Sequence, residues 1–338
     1  MRLWVAHPGH TRGLRTLLSG IEDLRRVEAV YAGGSPERIG TGRPNLHYPT
    51  IEEVREQVEL AHAHDVRYDV VVNSTCPFRG EPTRRVLARY DRYLQDLERA
   101  GVDGIVAADP IILELAAEHF DRVTVSCLAF VNDPEKAEHY EDVATAITLD
   151  TSHNRRFETL RALSRLRLEL KVIVNEGCLL DCPYRPFHFN LFSHLYGPDE
   201  VSVYDDYYYR RCIADRLRHP ELIIKSPWIR PEDLGHYEPY VDAFKVSGRS
   251  HQVRWIVKVV NAYLEGRWDG NLLDLLDCPR ELRDYFYLDN RELDGAIERW
   301  KECDHRCHEC GFCRELAERA LRVREFRPPE AATAGERA

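Results

Sequence analysis

The ten cysteines of this 338-residue chain are not spread evenly. Four fall in one run near the C-terminus, Cys303-x3-Cys307-x2-Cys310-x2-Cys313, and two flank a polar turn further back, Cys178-x3-Cys182. Four thiolates this close in sequence can wrap one tetrahedral ion or one cubane cluster, so the tail run is expected to hold metal. The x2 spacings with all-sulphur ligation fit a [4Fe–4S] cluster; structural zinc is the alternative. His305 can substitute as a ligand, whereas His308 reads as solvated.

The earlier pair needs help, because two thiols cannot hold a cubane. Cys212, in Arg210-Arg211-Cys212 after the aromatic, acidic insertion Tyr204 to Tyr209, is the third candidate ligand. Cys76, at a strand end, is the candidate fourth, with an open iron site as the other option. Cys127 reads as core inside an apolar strand, and Cys278, before Pro279, has no evident partner. Polar groups gather around the pair. Glu176 suits a general acid/base or a holder of the thiol loop, with an ion pair to Arg185 as the plainer reading. His188 suits a donor to substrate or a ligand, against a structural histidine. Lys245 and Arg249 suit an anionic group such as carboxylate or phosphate, against simple pairing with acids. Asn73 and Arg230 are similar. Tyr207-Tyr208-Tyr209 can stack on a flat substrate or simply pack.

These residues must be positioned by something, and the chain supplies alternating strand-like and helix-like segments. The strand candidates are Arg2–His7, Val27–Ala32, Tyr68–Asn73, Gly104–Ala108, Val123–Ala129, Ala146–Leu149, Lys171–Val174, Leu222–Ile224 and Ala243–Val246. They are continuous apolar runs, the pattern of parallel strands buried on both faces. Helices are expected between them, among them one from Thr50, where Thr50-Ile51-Glu52-Glu53 fits a capping box, one over Glu81–Ala100, and one from Asn154 to Leu168. Repeated β–α units whose strands end in Asn73, Asp109, Asp150, Glu176, Lys225 and Lys245 predict an α/β fold, a TIM-type (β/α)8 barrel with functional loops at one mouth. Nine strand candidates are one too many, so one lies outside the barrel or is misread. A doubly wound sheet is the rival, but it needs polar strand ends mainly at its switch point. The expected organisation is a barrel with its thiol loop over 1–265, a small helical, cysteine-rich tail over 266–326, and a Pro/Ala/Glu/Gly-rich, disordered end over 327–338.

A formal charge of −10 argues against a broad basic nucleic-acid footprint and leaves room only for a local one. No apolar window is long enough to span a membrane, and the chain enters a strand at once with no leader peptide, so a cytoplasmic protein is expected. There, clustered thiols mean metal rather than disulfides.

Three stretches resemble the collagenase-like peptidase family U32, which includes anaerobic ubiquinone- and RNA-hydroxylation proteins. Val30-Tyr31-Ala32-Gly33-Gly34 is similar to its Val-Tyr-x-Gly-Gly strand end. Asn175-Glu176-Gly177-Cys178 is similar to its His-Gly-x-x-Cys segment, and Phe244-Lys245-Val246-Ser247-Gly248-Arg249 to its Phe-Lys-Ile-Glu-Gly-Arg strand. The resemblance runs over about residues 1 to 265. It implies a TIM-type barrel and a [4Fe–4S] cluster at the central loop, with Cys178 matching the first ligand and Cys212 a later one. Departures are the close Cys182, Asp233-Leu234-Gly235 where the family often has a further cysteine, and Ser247 for the family Glu. The tail thiols lie outside the family core. Their first three also spell C-x3-C-x2-C, which resembles the S-adenosylmethionine radical signature, though that normally follows a first barrel strand. Together these features imply an iron–sulphur oxidoreductase with two clusters, performing oxygen-independent hydroxylation or related tailoring of a small molecule or peptide. The alternatives are an RNA-modifying hydroxylase, a collagenase-like protease, and a non-catalytic iron–sulphur partner subunit of a homo- or heterodimer.

Overall fold

A computed structural model of the chain describes residues 1–35, 38–78, 82–195 and 206–324. Eight strands close into a parallel barrel in sequence order. They are β1 (Leu3–Ala6), β2 (Val27–Gly33), β3 (Arg67–Val72), β4 (Gly104–Ala107), β5 (Val123–Val125), β6 (Ala146–Thr148), β7 (Glu169–Ile173) and β8 (Ala243–Val246). Closure comes from β8 pairing in parallel with β1, Phe244 beside Leu3 and Val246 beside Val5. Each strand is nearly all buried because helices cover its outer face and neighbouring strands its inner one.

The two-residue period sorts side chains between the two faces. Val70, Val72, Ile105, Val172 and Val246 pack outward in the large core under the helices. Trp4, Ala6, Ala29, Tyr31, Val71, Val106 and Ala243 form a separate inner cluster. The same alternation puts Lys171 and Lys245 inside, where their ammonium groups lie 3.2 and 5.7 Å from the Trp4 ring centre. The helices follow local chemistry. Thr50 caps Ile51–His62 with both halves of the capping box, and Asp109 caps Pro110–Ala117 with Pro at the first turn.

The surplus ninth strand is a helix. Leu222–Ile224 lies within the helix Glu221–Lys225, entered through Pro220. Ile223 and Ile224 are buried there against the tail rather than in the barrel wall. A three-residue apolar run carries no periodicity, so tertiary burial decides its form. Two other boundaries shift. The β5 strand stops at Val125, and Cys127–Ala129 is a 3-10 turn capped by Ser126. Asn154 caps no long helix. It closes the turn Thr151–His153, its amide donates to the Ile173 and Pro227 carbonyls, and the following helix runs only over Phe157–Leu163. The helix predicted over Glu81–Ala100 is observed as Arg84–Arg99.

The tail is more than helical. It adds an antiparallel pair, β9 (Phe286–Leu288) with β10 (Leu321–Val323), and helices Ala296–Lys301 and Phe312–Ala320. Its Leu272, Leu282, Phe286, Trp300 and Leu316 join the same apolar core as the barrel's outer face. The 327–338 end and Tyr204 to Asp205 of the aromatic insertion lie outside the described residues. Among the described residues no helix is long and apolar enough to cross a membrane.

Candidate metal centre and active site at the barrel mouth

The carboxyl ends of the strands open into a cavity of about 380 Å³. Its lining includes Cys178, Cys182 and Cys212, together with Cys278 and Cys127. Cys76 is not part of that lining; its amide turns back onto the Ser74 hydroxyl. The fourth thiol beside the three expected ones is Cys278, which feels the charge of Cys212, while Cys212 in turn feels Cys182.

Backbone pairing explains why. After β7 the chain continues in an extended path, and Glu176 forms a parallel bridge with Asp277. The Asp277 amide donates to the Asn175 carbonyl at 2.8 Å. The Asn175 side chain, fully buried, accepts from the Ser247 amide and donates to the Ser247 and Leu275 carbonyls, tying β7, β8 and the tail segment together. Gly177 allows the closest approach. A Cβ there would lie 2.5 Å from the Cys278 Cβ and 2.6 Å from the Asp277 carbonyl oxygen. The local sequence offers one hint of Cys278's role: it begins a Cys-Pro pair, as the last ligand of a ferredoxin run does.

Arginines hold this loop. The Arg43 guanidinium sits 2.6 Å from Glu176 and 3.4 Å from Asp277. The other Glu176 oxygen accepts from the Cys178 amide at 3.0 Å. Burial pushes the Glu176 pKa up, but Arg43 and Arg185 outweigh it and keep it below the usual carboxylate range. An ionised, doubly engaged Glu176 is a loop holder rather than a proton donor, and its partner is Arg43 instead of the expected Arg185. Arg185 donates to Asp150, to Ser152 and to the Leu179 carbonyl, fastening the thiol loop to the end of β6. Arg216, 1% exposed, donates to the Gly177 carbonyl, while its buried Nε and Nη1 have no hydrogen-bond partner among the described residues. Those two nitrogens belong to a charge that faces Cys212 and Cys278.

The other predicted residues divide. His188 lines the cavity, pairs with Asp206 at 3.0 Å and stacks on Phe192, and burial lowers its pKa. Lys245 and Arg249 both line the cavity. Asn73 lines it too, donating to Ser126 and accepting from Gly42. Arg230 is structural, clamped on Asp233 and Asp294. Tyr208 and Tyr209 line the cavity, and the Tyr209 hydroxyl is fixed on Glu281. Cys127 also lies at the cavity wall, because β5 ends two residues before it.

The tail thiols form a second, smaller site. Cys303, Cys307, Cys310 and Cys313 line one small cavity with Lys225, Arg299, Trp300 and Arg306. Behind it Arg155 lies against both Trp228 and Trp300, 4.3 and 3.8 Å from their ring centres. It donates to two carbonyls, has no carboxylate in contact among the described residues, and its charge is felt at Cys313.

Both donor sets fit a sulphur-ligated inorganic core. Zinc at about 2.3 Å from each sulphur would hold the sulphurs about 3.8 Å apart. Among the described residues no three cysteine sulphurs lie within 4.8 Å of one another, so neither set is drawn in around a single ion. The orphaned nitrogens of Arg216 are donors of the kind that hydrogen-bond cluster sulphur, and Arg155 is a buried cation that needs an anionic neighbour.

Comparison with known proteins supports the fold. The profile of peptidase family U32 matches residues 23–165. A protein of Methanocaldococcus jannaschii named uncharacterized protease MJ1657 is 45% identical over 330 residues, covering 95% of this chain and 99% of that one. The solved structure of the U32 peptidase Mk0906 is 26% identical with a TM-score of 0.55, covering 73% of this chain and 93% of that one.

Proposed function

The chain belongs to peptidase family U32, and on that footing we propose that it is an iron–sulphur oxidoreductase that carries out oxygen-independent hydroxylation or a related redox change on a small molecule or peptide. Cys178, Cys182, Cys212 and Cys278 hold one [4Fe–4S] cluster at the mouth, and the tail thiols hold the second. The observation that carries the reading is the mouth itself: Cys178, Cys182, Cys212 and Cys278 line one cavity with Arg216 nitrogens that have no hydrogen-bond partner among the described residues. When bound, the clusters supply one-electron chemistry, one beside the substrate and one near the surface. The chain's own residues do the rest. Glu176, Arg43 and Arg185 fix the thiol loop. Phe189, Phe192 and Leu128 wall off water on one side. Burial lowers the pKa of Lys245 to about 8, so its ammonium can give or take a proton near neutrality.

The name of the M. jannaschii protein raises proteolysis as a second reading. Ser247, His251 and Asp277 do meet here, but Asp277 stands between the other two, accepting from Ser247 at 3.0 Å and pairing with His251 at 3.0 Å. A hydrolytic triad needs the histidine in the middle. Burial also raises the Cys127, Cys178 and Cys278 thiols, the opposite of an activated nucleophile.

Iron and acid-labile sulphide analysis of anaerobically purified protein tests the proposal. It predicts a brown protein with roughly eight irons and matching sulphide per chain for two cubanes, and a paramagnetic signal on reduction. A colourless, iron-free protein that cleaves a peptide would overturn it.

A further inference from the structure

The cations of the mouth do not all have acids. Arg43 is neutralised by Glu176 and Asp277, Arg185 by Asp150, and Arg280 by Asp284. His251 shares Asp277. Arg216 and Arg283 both act on the thiol of Cys278. Lys245 and Arg249 also line the cavity, and neither has an ion-pair partner among the described residues. Lys245, 6% exposed, rests 4.4 Å from the centre of the Tyr31 ring. Arg249, 7% exposed, makes no side-chain hydrogen bond among the described residues, where its buried Nη1 finds no acceptor.

Burying a charge with no partner costs several kcal/mol. A fold keeps two such charges side by side in a cavity wall when a ligand completes them. They are held rigidly. Lys245 is an inward position of β8, and Gly248, at φ +136°, turns the chain immediately before Arg249 with Trp255 packed where a Cβ would go. The same cavity is lined by apolar Leu128, Phe189 and Phe192, with Phe189 and Leu128 buried in one small cluster. A charged corner, an apolar wall and a volume of about 380 Å³ match a free small molecule rather than a polymer.

We propose that the mouth cavity binds a small organic anion, a carboxylate or a phosphate, with the charged group seated between Lys245 and Arg249 and the body lying against Phe189 and Phe192. The inference rests on reading the mouth as the reaction site, and it stands without iron. Arg249 brings a planar fork that matches either oxyanion, and Lys245 adds a point charge.

Isothermal titration calorimetry of the anaerobically purified full chain tests this with acetate, benzoate, malonate and inorganic phosphate as probes. Saturable binding is expected for at least one probe, with benzoate tighter than acetate because of the aromatic wall. Lys245→Gln and Arg249→Gln should each weaken that binding tenfold or more, and Arg249→Lys should recover part of it. Carboxylates binding in preference to phosphate identifies an organic acid; the reverse identifies a phosphate compound. Wild type binding no probe, or both variants binding as wild type does, overturns the proposal. Circular dichroism of each variant confirms folding, and iron is measured on the same samples. Iron-free protein that still binds the probe would sink the cluster assignment and leave the anion subsite standing.

Discussion

The mouth and the tail each offer four thiols as proposed ligands, and they do it in opposite ways. The tail draws its four from eleven consecutive residues around a small, partly exposed cavity. The mouth draws Cys178 and Cys182 from the loop after β7, Cys212 from the helix Tyr207–Arg218 and Cys278 from the tail segment, around a much larger cavity. The tail site is made by spacing and needs little from the fold. The mouth site exists only when the barrel has closed and residue 277 has paired beside residue 176. The two should therefore fail separately, and differently under stress on the fold.

The largest separation is expected from the thiols. Cys178→Ala should remove the mouth cluster and leave the tail one, and Cys310→Ala should do the reverse, each roughly halving the iron content. Loss of all iron from either single variant would mean the two sites are one unit.

Acid should strike the barrel end next. His7, fully buried at the end of β1, accepts from the Gly9 amide and contacts the Tyr68 hydroxyl at 3.1 Å. Burial, then the nearby His10 and Arg249, lower its pKa to about 3. The folded chain thus binds fewer protons here than the unfolded one between pH 6.5 and about 3. Its contribution is intact above pH 6.5 and fades as the pH falls through that window, by up to about 5 kcal/mol. Urea unfolding across pH should show this slope, flattened in His7→Asn and unchanged in His308→Asn of the exposed tail loop.

Smaller effects probe the joint between the regions. Gly177→Ala forces a Cβ against the Asp277 carbonyl and should cost about 1–3 kcal/mol, with mouth iron lost before tail iron on mild heating. Arg155→Met leaves the Ile224 and Trp228 carbonyls unpaired, about 1–3 kcal/mol at most, and should loosen tail iron while sparing the mouth. Equal loss from both sites in either variant would erase the distinction drawn here.

The same contrast governs what the sequence made readable. The tail ligands are legible because all four lie within one short stretch. The barrel is legible because eight apolar runs end in polar residues. Leu222–Ile224 is not, since three apolar residues do not declare a period and the packing surface chooses helix. Cys127 reads as core because strand ends are blurred by a few residues, and Ser126 starts a turn just before it. Cys278 shows no partner in the sequence because Cys178 is a hundred residues away, joined through Asn175, Asp277 and the bare backbone of Gly177. Cys76 reads as a ligand by its place after β3, and the cavity lining does not include it.

The central claim is that the fourth mouth ligand is Cys278. Anaerobic iron analysis of Cys278→Ser beside Cys76→Ser tests it directly. The account predicts that Cys278→Ser loses the mouth cluster, or retains it only in altered form by its paramagnetic signal, while Cys76→Ser matches wild type. Full iron and an unchanged signal in Cys278→Ser, with loss in Cys76→Ser, would contradict it.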